Sequence, residues 1–117
     1  IRSLIEMSKI KEDSVDNAKI DEKNISAYVS MAYDSLRETL EALCILKGYK
    51  VTSHICLGEL LKSLIPEFDF NSFDRYRYVR NGINYYGTKI DSKQGKEIIL
   101  KMFKMKSEIT KKYLHVI

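Results

Sequence analysis

The feature that most constrains the fold is an apolar stripe between residues 24 and 48. Its members recur at steps of three and four residues: Val29, Ala32, Tyr33, Leu36, Leu40, Leu43 and Cys44. This period predicts a long amphipathic helix, capped by Asn24 or Ser26 and followed by Gly48 just beyond its end. No segment has the strict alternation of a strand, and one Pro and five Gly are too few for a turn-rich β fold. The chain is therefore predicted to be all-α.

Two shorter helices are predicted on either side of this long one. The first covers residues 3–19, with Leu4, Met7, Val15 and Ala18 on one face and Lys11 interrupting that face. The other follows Thr52-Ser53 and is stopped by Pro66, because a proline cannot continue a helix.

Two more helices complete the predicted set. The fourth runs from Asn71 to Gly87, with Asp74 in its first turn. The fifth begins at Asp91, which has the spacing of a capping box with Gln94, and continues to the end of the chain. Short connections between amphipathic helices favour antiparallel neighbours. We therefore expect a single domain over residues 1–117, an up-and-down bundle of about five helices.

Charge is distributed unevenly along the chain. Residues 1–74 hold 9 Lys/Arg and 13 Asp/Glu, a net charge of −4, whereas residues 75–117 hold 11 and 3, a net charge of +8. Four lysines of the fifth helix fall on one side, opposite its apolar stripe: Lys93, Lys96, Lys104 and Lys111. This side is either an ordinary solvated face or a phosphate-binding surface.

The sequence predicts that several classes of site are absent. Cys44 and Cys56 lie in apolar runs, which predicts two reduced core thiols rather than a disulfide. His54 and His115 are the only histidines and lie far apart, so we expect no metal and no cofactor, with a structural role for His54. No apolar run approaches the ~18 residues of a membrane span, so no membrane contact and a cytoplasmic location are expected. Because the chain opens on Ile1, residues are expected to precede it.

The fourth helix carries the residues with the strongest chemical signal. Arg80 and Asn84 share an arc with Phe73 and Tyr76, and a buried guanidinium requires a partner. That partner is an acidic residue of this chain (such as Asp34, Glu38 or Glu41 of the second helix), a second subunit, or a bound phosphate, with tyrosine rings stacking on unpaired bases. Gly82, in mid-helix, costs up to about 1 kcal/mol relative to Ala, which indicates close approach of another helix or a ligand.

At these residues the chain resembles the HEPN domains (higher eukaryotes and prokaryotes nucleotide-binding) over residues 24–114. The likeness lies in the helical layout, Leu-Lys-Gly-Tyr at 46–49, Ser53-His54 before the third helix, and Arg80-Asn81 followed by aromatic residues. The resemblance implies a homodimer in which the fourth helix meets its symmetry mate. It also implies a metal-independent ribonuclease, or a toxin neutralised by a small nucleotidyltransferase. Arg80 and Asn81 match the start of the family signature, but Tyr85 and Tyr86 stand where its histidine is expected.

The function implied is a homodimeric module that binds RNA or a nucleotide with weak or absent nuclease activity. Tyrosine, with an ordinary pKa near 10, is a poorer general base than histidine. The expected binding residues lie on the fourth helix: Arg77, Arg80, Asn81, Asn84, Tyr85 and Tyr86. One alternative is a toxin–antitoxin type interaction module that pairs with a nucleotidyltransferase. A second is an active ribonuclease with Arg80 and either Tyr85 or His54 as catalytic residues.

Overall fold

A computed structural model describes residues 1–51 and 54–114, except for the side chains of His54 and Ile55. These residues form five helices in the order α1 (Arg2–Asp16), α2 (Ile25–Leu46), α3 (His54–Leu64), α4 (Phe70–Tyr86) and α5 (Ser92–Tyr113). No strand occurs among them, and the predicted all-α bundle of about five helices is confirmed. The predicted features at Thr52-Ser53 and His115, and the side chain of His54, lie outside the described residues.

Helix α2 lies at the centre of the bundle and packs against each of the other four helices. Its predicted apolar stripe is fully buried and lies in the core cluster, to which α2 contributes more residues than any other helix. Other large core side chains come from α3, α4, α5 and the residue that follows α3; they include Leu57, Leu61, Ile65, Phe73, Ile99 and Met102. The fold is therefore organised around the helix that the sequence pattern predicted most clearly.

The C-terminus of α2 ends as the sequence predicts. Gly48 adopts a φ of +94°, which a residue with a side chain rarely adopts. The Gly48 N–H donates to the Ile45 carbonyl and the Tyr49 N–H donates to the Cys44 carbonyl, both at 2.9 Å. These two bonds form a Schellman motif, which satisfies carbonyls that the helix leaves without a partner.

The predicted start of α5 is confirmed, whereas the predicted start of α4 is not. Asp91 caps α5 by accepting a hydrogen bond from the Gln94 N–H at 2.8 Å, as expected. The predicted start of α4 at Asn71 is wrong, because Asp69 caps the helix by accepting from the Ser72 N–H at 3.1 Å. The ring of Phe70, the first residue of this helix, lies close to Gly58 of α3, where an added Cβ would be 3.1 Å from the ring.

Helix α1 ends at Asp16 rather than residue 19, and its inward face is polar. Ser8 is buried, and its hydroxyl donates to the Ser35 carbonyl at 2.6 Å and lies 2.7 Å from Thr39 Oγ1. Lys11 pairs with Glu38 at 2.8 Å, so its charge faces α2 instead of solvent. The prediction that Met7 lies on the buried face is wrong, since Met7 is 47% exposed. Hydroxyl groups and an ion pair therefore replace apolar contact at much of the α1–α2 interface.

The position of α5 is fixed by contacts with α2, with the connection between α1 and α2, and with α1. Gly95 lies against Ile25, and an added Cβ would lie only 2.6 Å from Ile25 Cδ1. Glu22 accepts a hydrogen bond from the Ser92 N–H at 3.1 Å, at the first turn of α5. Lys106, which is buried, pairs with Glu12 of α1. These contacts hold α5 close to α2 at one end and to α1 further along.

The two cysteines differ in environment. Cys44 is buried, and burial raises the pKa of its thiol to about 11. Cys56 is exposed, so the prediction of two core thiols is correct for Cys44 and wrong for Cys56. Both thiols are free, as predicted. Cys56 lies on the outer side of α3, whose inner side is occupied by Leu57 and Leu61.

Candidate functional site

Helix α4 is anchored by its N-terminal half and exposed along its C-terminal half. Phe73 and Tyr76 are buried, and the Phe73 ring stacks on Tyr33 of α2 with centroids 5.8 Å apart. The helix ends at Gly87, which has a φ of +63°. This arrangement presents the Arg–Asn–Tyr segment beyond the edge of the apolar core.

Arg80 lies on the inner side of α4. Its guanidinium lies over the Tyr33 ring, 5.5 Å from the centroid, and Nη2 is 3.5 Å from Asp34 Oδ1. Arg37 approaches the same carboxylate, with Nε 3.8 Å from Asp34 Oδ1, and its Nη1 lies 2.9 Å from Glu41. Asp34 therefore lies between two guanidinium groups on neighbouring helices. Of the three acidic residues considered as internal partners, it is the one that reaches Arg80.

The other inner residues of α4 also have internal partners. Arg77 donates two hydrogen bonds to Asp74 Oδ1, at 2.8 and 3.1 Å. Asn84 Oδ1 accepts a hydrogen bond from the Ser30 hydroxyl of α2 at 3.0 Å. Arg77, Arg80 and Asn84 thus contribute to the contact between α4 and α2, or to the stability of α4 itself.

Tyr33 lies at the centre of this cluster of charges. Burial raises the pKa of its phenol to about 12, although the nearby cations Arg80, Arg37 and Arg77 act in the opposite direction. The phenol therefore stays protonated at neutral pH.

The outer side of α4 presents three large aromatic side chains to solvent. Tyr78, Tyr85 and Tyr86 are 77%, 69% and 83% exposed. Tyr78 and Tyr85 are seven residues apart and share a face with Gly82 between them. These rings border a groove of about 520 Å³, which we call the tyrosine groove; its rim also includes Asn81, Thr88 and Lys89.

Gly82 lies on the wall of the tyrosine groove, and packing within the chain does not require a glycine there. Its carbonyl accepts a hydrogen bond from the Thr88 N–H at 3.0 Å. A Cβ at this position would lie 3.4 Å from Thr88 Oγ1, an ordinary contact. Contacts within the folded chain therefore do not explain why this position is a glycine, which stabilises a helix less than Ala does.

The six predicted binding residues are divided between two sides of α4. Arg77, Arg80 and Asn84 contact partners within the chain, whereas the other three line the tyrosine groove: Asn81, Tyr85 and Tyr86. Arg80 and Tyr85 lie about 140° apart around the helix axis, so one phosphate cannot contact both within a single chain. The prediction missed Tyr78 and Lys89, although the seven-residue spacing of Tyr78 and Tyr85 was a usable signal.

Residues 1–51 and 54–114 contain neither a metal-binding cluster nor a membrane-spanning helix. No group of three or more His, Cys, Asp or Glu side chains in these ranges could hold a metal ion. No helix in the same ranges is long and apolar enough to cross a membrane. The lysines predicted on the outer side of α5 are exposed: Lys93, Lys96, Lys104 and Lys111.

No protein-family model, no curated protein and no solved structure matches this chain. The resemblance to HEPN domains therefore stays a prediction from the sequence.

Proposed function

We propose that this chain is a HEPN-like helical module that binds single-stranded RNA through the tyrosine groove. The observation that carries the proposal is the exposure of Tyr78, Tyr85 and Tyr86 around one groove. Folded proteins seldom leave three adjacent large aromatic rings in water without a partner. Unpaired bases stack on such rings with about 1–3 kcal/mol per base, largely independent of sequence.

The charges near the groove support an anionic ligand. Arg75 lies three residues before Tyr78 on the outer side of α4 and is exposed, as is Lys89 on the groove rim. Neither residue forms an ion pair with any carboxylate in the described part of the chain. Both cations are therefore available for phosphate contacts, in a region where basic residues outnumber acidic ones 11 to 3.

Asn81 gives this surface a hydrogen-bonding group beside the rings. Its Oδ1 accepts only a long hydrogen bond from Arg80 Nη1, at 3.4 Å. The amide group can therefore contact the edge of a stacked base, which is how single-stranded RNA is read where bases are splayed out. The sequence predicts that arginine and asparagine side chains of α4 bind the ligand. In this proposal Asn81 keeps that role.

Weak or absent nuclease activity forms part of the same proposal. The Arg80 guanidinium is held by Asp34 and by the Tyr33 ring, on the side of α4 away from Tyr85. An arginine in this position cannot orient a phosphate for attack beside Tyr85 in the same chain. The alternative of an active ribonuclease predicts metal-independent RNA cleavage that Arg80→Ala abolishes.

The test is a fluorescence-anisotropy titration with a labelled 15-nucleotide oligouridine. The double variant Tyr78→Ala/Tyr85→Ala is expected to weaken binding at least tenfold, because two stacking platforms are removed. Tyr49→Ala is the matched control, since Tyr49 is also exposed but lies after α2, outside the tyrosine groove. Equal affinity of the wild type and the double variant, or no dependence of affinity on salt, would refute RNA binding at this groove.

Self-association through the same face is a second candidate function. The observation that favours it is Gly82, which lies between exposed tyrosines and leaves room for a second backbone. Light scattering on the wild type and on Gly82→Gln tests it, since a bulky side chain on the face would dissociate a dimer. A monomer that instead forms a stable complex with a small nucleotidyltransferase would support the interaction-module alternative.

A further inference from the structure

A second groove lies between α1 and α5 and has its floor on α2; we call it the α1–α5 groove. Its volume is about 360 Å³. Sites for small molecules occupy roughly 300–1,000 Å³, so this groove has room for one small ligand. None of the described residues that line it also lines the tyrosine groove.

The two ends of the α1–α5 groove differ in polarity. At one end the Glu12 carboxylate pairs with Lys106, which is buried. Ile5 and Leu114 line the groove about two turns away from this pair, along α1 and along α5. Asp16 lies one turn beyond Glu12 in the other direction and does not line the groove. A ligand therefore meets an ion pair at one end and an apolar surface at the other.

Two lysines between these ends lack a strong partner. Lys111 forms no ion pair with a carboxylate in residues 1–51 and 54–114. Lys9 approaches Asp13 only to 4.0 Å, and because both side chains are mostly exposed this contact contributes little. Glu12 is the one carboxylate among the described lining residues, and Lys106 neutralises it. Two positive charges are thus left for an anion.

The floor of the groove accepts hydrogen bonds rather than donating them. The Ser8 hydroxyl donates its proton to the Ser35 carbonyl at 2.6 Å. In the 2.7 Å contact between Ser8 and Thr39, Thr39 is therefore the donor. The Thr39 oxygen, which is buried at the floor, keeps only lone pairs for a ligand. The carboxylate of Glu12 likewise accepts, so the inner surface suits a ligand that carries hydroxyl groups.

The rim of the groove has the opposite character. Ser107 and Thr110 are exposed and add two hydroxyl donors to the ammonium groups of Lys9 and Lys111. A phosphate monoester has three terminal oxygens and a charge of about −1.5 to −2 at neutral pH, which matches two lysines and two hydroxyls. A carboxylate has a single charge and two oxygens, and it would use fewer of these donors.

We infer that the α1–α5 groove binds a small sugar phosphate. The phosphate contacts Lys9 and Lys111 at the rim, and the sugar hydroxyls donate to Thr39 and Glu12 at the floor. The C–H groups of the sugar lie against the apolar end. This site is independent of the proposed RNA binding, since it lies on other helices.

The first experiment compares ligands by isothermal titration calorimetry on the wild-type protein. Ribose 5-phosphate has both the phosphate and the sugar hydroxyls. Ribose lacks the phosphate, inorganic phosphate lacks the sugar, and gluconate has hydroxyls with a carboxylate instead. Ribose 5-phosphate is expected to bind at least about tenfold more tightly than each of the other three, because it alone engages both the rim and the floor.

The second experiment uses variants of exposed residues of α5, whose substitution leaves the core intact. Lys111→Gln is expected to weaken binding of ribose 5-phosphate about tenfold, because it removes a charge-assisted hydrogen bond. Thr110→Val should weaken it about fivefold through loss of a neutral donor. Lys96→Gln is the matched control, since Lys96 is also exposed on α5 but does not line the groove. Circular dichroism verifies that each variant is folded.

Backbone amide shifts in NMR locate the ligand. Ribose 5-phosphate is expected to move the signals of Thr39, Ser107 and Thr110 and to leave those of Asn81 and Gly82 in place. Shifts confined to Asn81 and Gly82 would place the ligand in the tyrosine groove and overturn the inference.

Three further outcomes would overturn it. Equal affinity for inorganic phosphate would show that the sugar makes no contact, and equal affinity for gluconate would show that phosphate is not selected. Equal weakening by Lys96→Gln and Lys111→Gln would show an effect of overall charge. Each of these results leaves RNA binding at the tyrosine groove intact, because oligouridine binding is measured separately.

Discussion

The Arg80 guanidinium lies over the Tyr33 ring, 5.5 Å from its centroid, and reaches Asp34, the next residue of α2. A residue that the sequence marks as a ligand contact therefore joins α4 to α2. The Phe73 ring stacks on the same tyrosine, so Tyr33 receives two residues of α4. The orientation of α4, and with it the exposure of the tyrosine groove, depends on this contact.

Arg80→Ala is expected to lower the free energy of unfolding by about 1–2 kcal/mol, because it removes a partly buried ion pair and a cation–π contact. Urea denaturation measures this change. Arg75→Ala is the control, since Arg75 is exposed and forms no ion pair with a described residue, and its stability should change by less than about 0.5 kcal/mol. Equal stability of the two variants would show that the Arg80 contacts contribute nothing to the fold.

Gly82 and Gly95 are expected to respond in opposite directions to the same substitution. Gly82→Ala should raise the free energy of unfolding by up to about 1 kcal/mol, because the added Cβ improves helix propensity without a close contact. Gly95→Ala should lower it by about 1–3 kcal/mol, because the Cβ would overlap buried Ile25. Thermal and urea unfolding of both variants test the pair, and a loss of stability at Gly82 would contradict the geometry of that face.

Ser8→Ala is expected to lower the free energy of unfolding by about 1–3 kcal/mol. The substitution leaves the Ser35 carbonyl and the Thr39 hydroxyl buried without this partner. Ser14→Ala on the same helix is the control, because Ser14 is exposed and bonds only to the Ile10 carbonyl of its own helix. If chemical denaturation showed that Ser14→Ala lowers the free energy of unfolding more than Ser8→Ala does, the polar α1–α2 interface would be contradicted.

One thiol should react with a disulfide reagent in the folded protein and two after denaturation. Cys56 is exposed, whereas Cys44 is buried with a pKa raised to about 11 by that burial. Thiolate is the reactive form, so both access and ionisation protect Cys44. Spectrophotometric counting of released thiol measures the difference, and Cys56→Ser should abolish the fast reaction. A fast reaction that persists in this variant would show that Cys44 is accessible.

Glu67 should titrate at unusually low pH. Hydrogen bonds, first from Lys112 and then from Tyr113, lower its pKa from 4.5 to about 2. The paired carboxylate thus contributes stability above pH 4.5, and this contribution is lost as the pH falls toward 2. Lys112→Gln should raise the pKa of Glu67 toward its ordinary value, as followed by the side-chain carbon chemical shift in NMR. Lys111→Gln is the neighbouring control and should leave the Glu67 titration unchanged.

Features with a local cause could be predicted from the sequence. The apolar period of α2, the glycine after it and the Asp91 cap each depend on a few neighbouring residues, and the structure contains all three. The face of α1 could not be predicted in this way. Ser8 and Lys11 are polar, and only their partners on α2 make the interior favourable for them.

The candidate site shows the same division. Helical spacing correctly placed Arg77, Arg80 and Asn84 on the arc of Phe73 and Tyr76. Whether an arginine on that arc contacts a ligand or a carboxylate depends on the register of α2 beside α4. The sequence of α4 does not contain that information, so Asp34 remained one of several possible partners. Tyr78 lies off this arc, so the spacing that identified Arg80 and Asn84 did not identify it.

The central position of α2 has a consequence for synthesis of the protein on the ribosome. Ile25 and Val29 are fully buried, and both contact the region of Gly95 in α5. Since α3 and α4 are made before α5, this part of α2 leaves the exit tunnel with its apolar surface uncovered. The bundle therefore completes its core only after α5 has emerged, and the nascent chain is most exposed to aggregation and to chaperone binding during that interval.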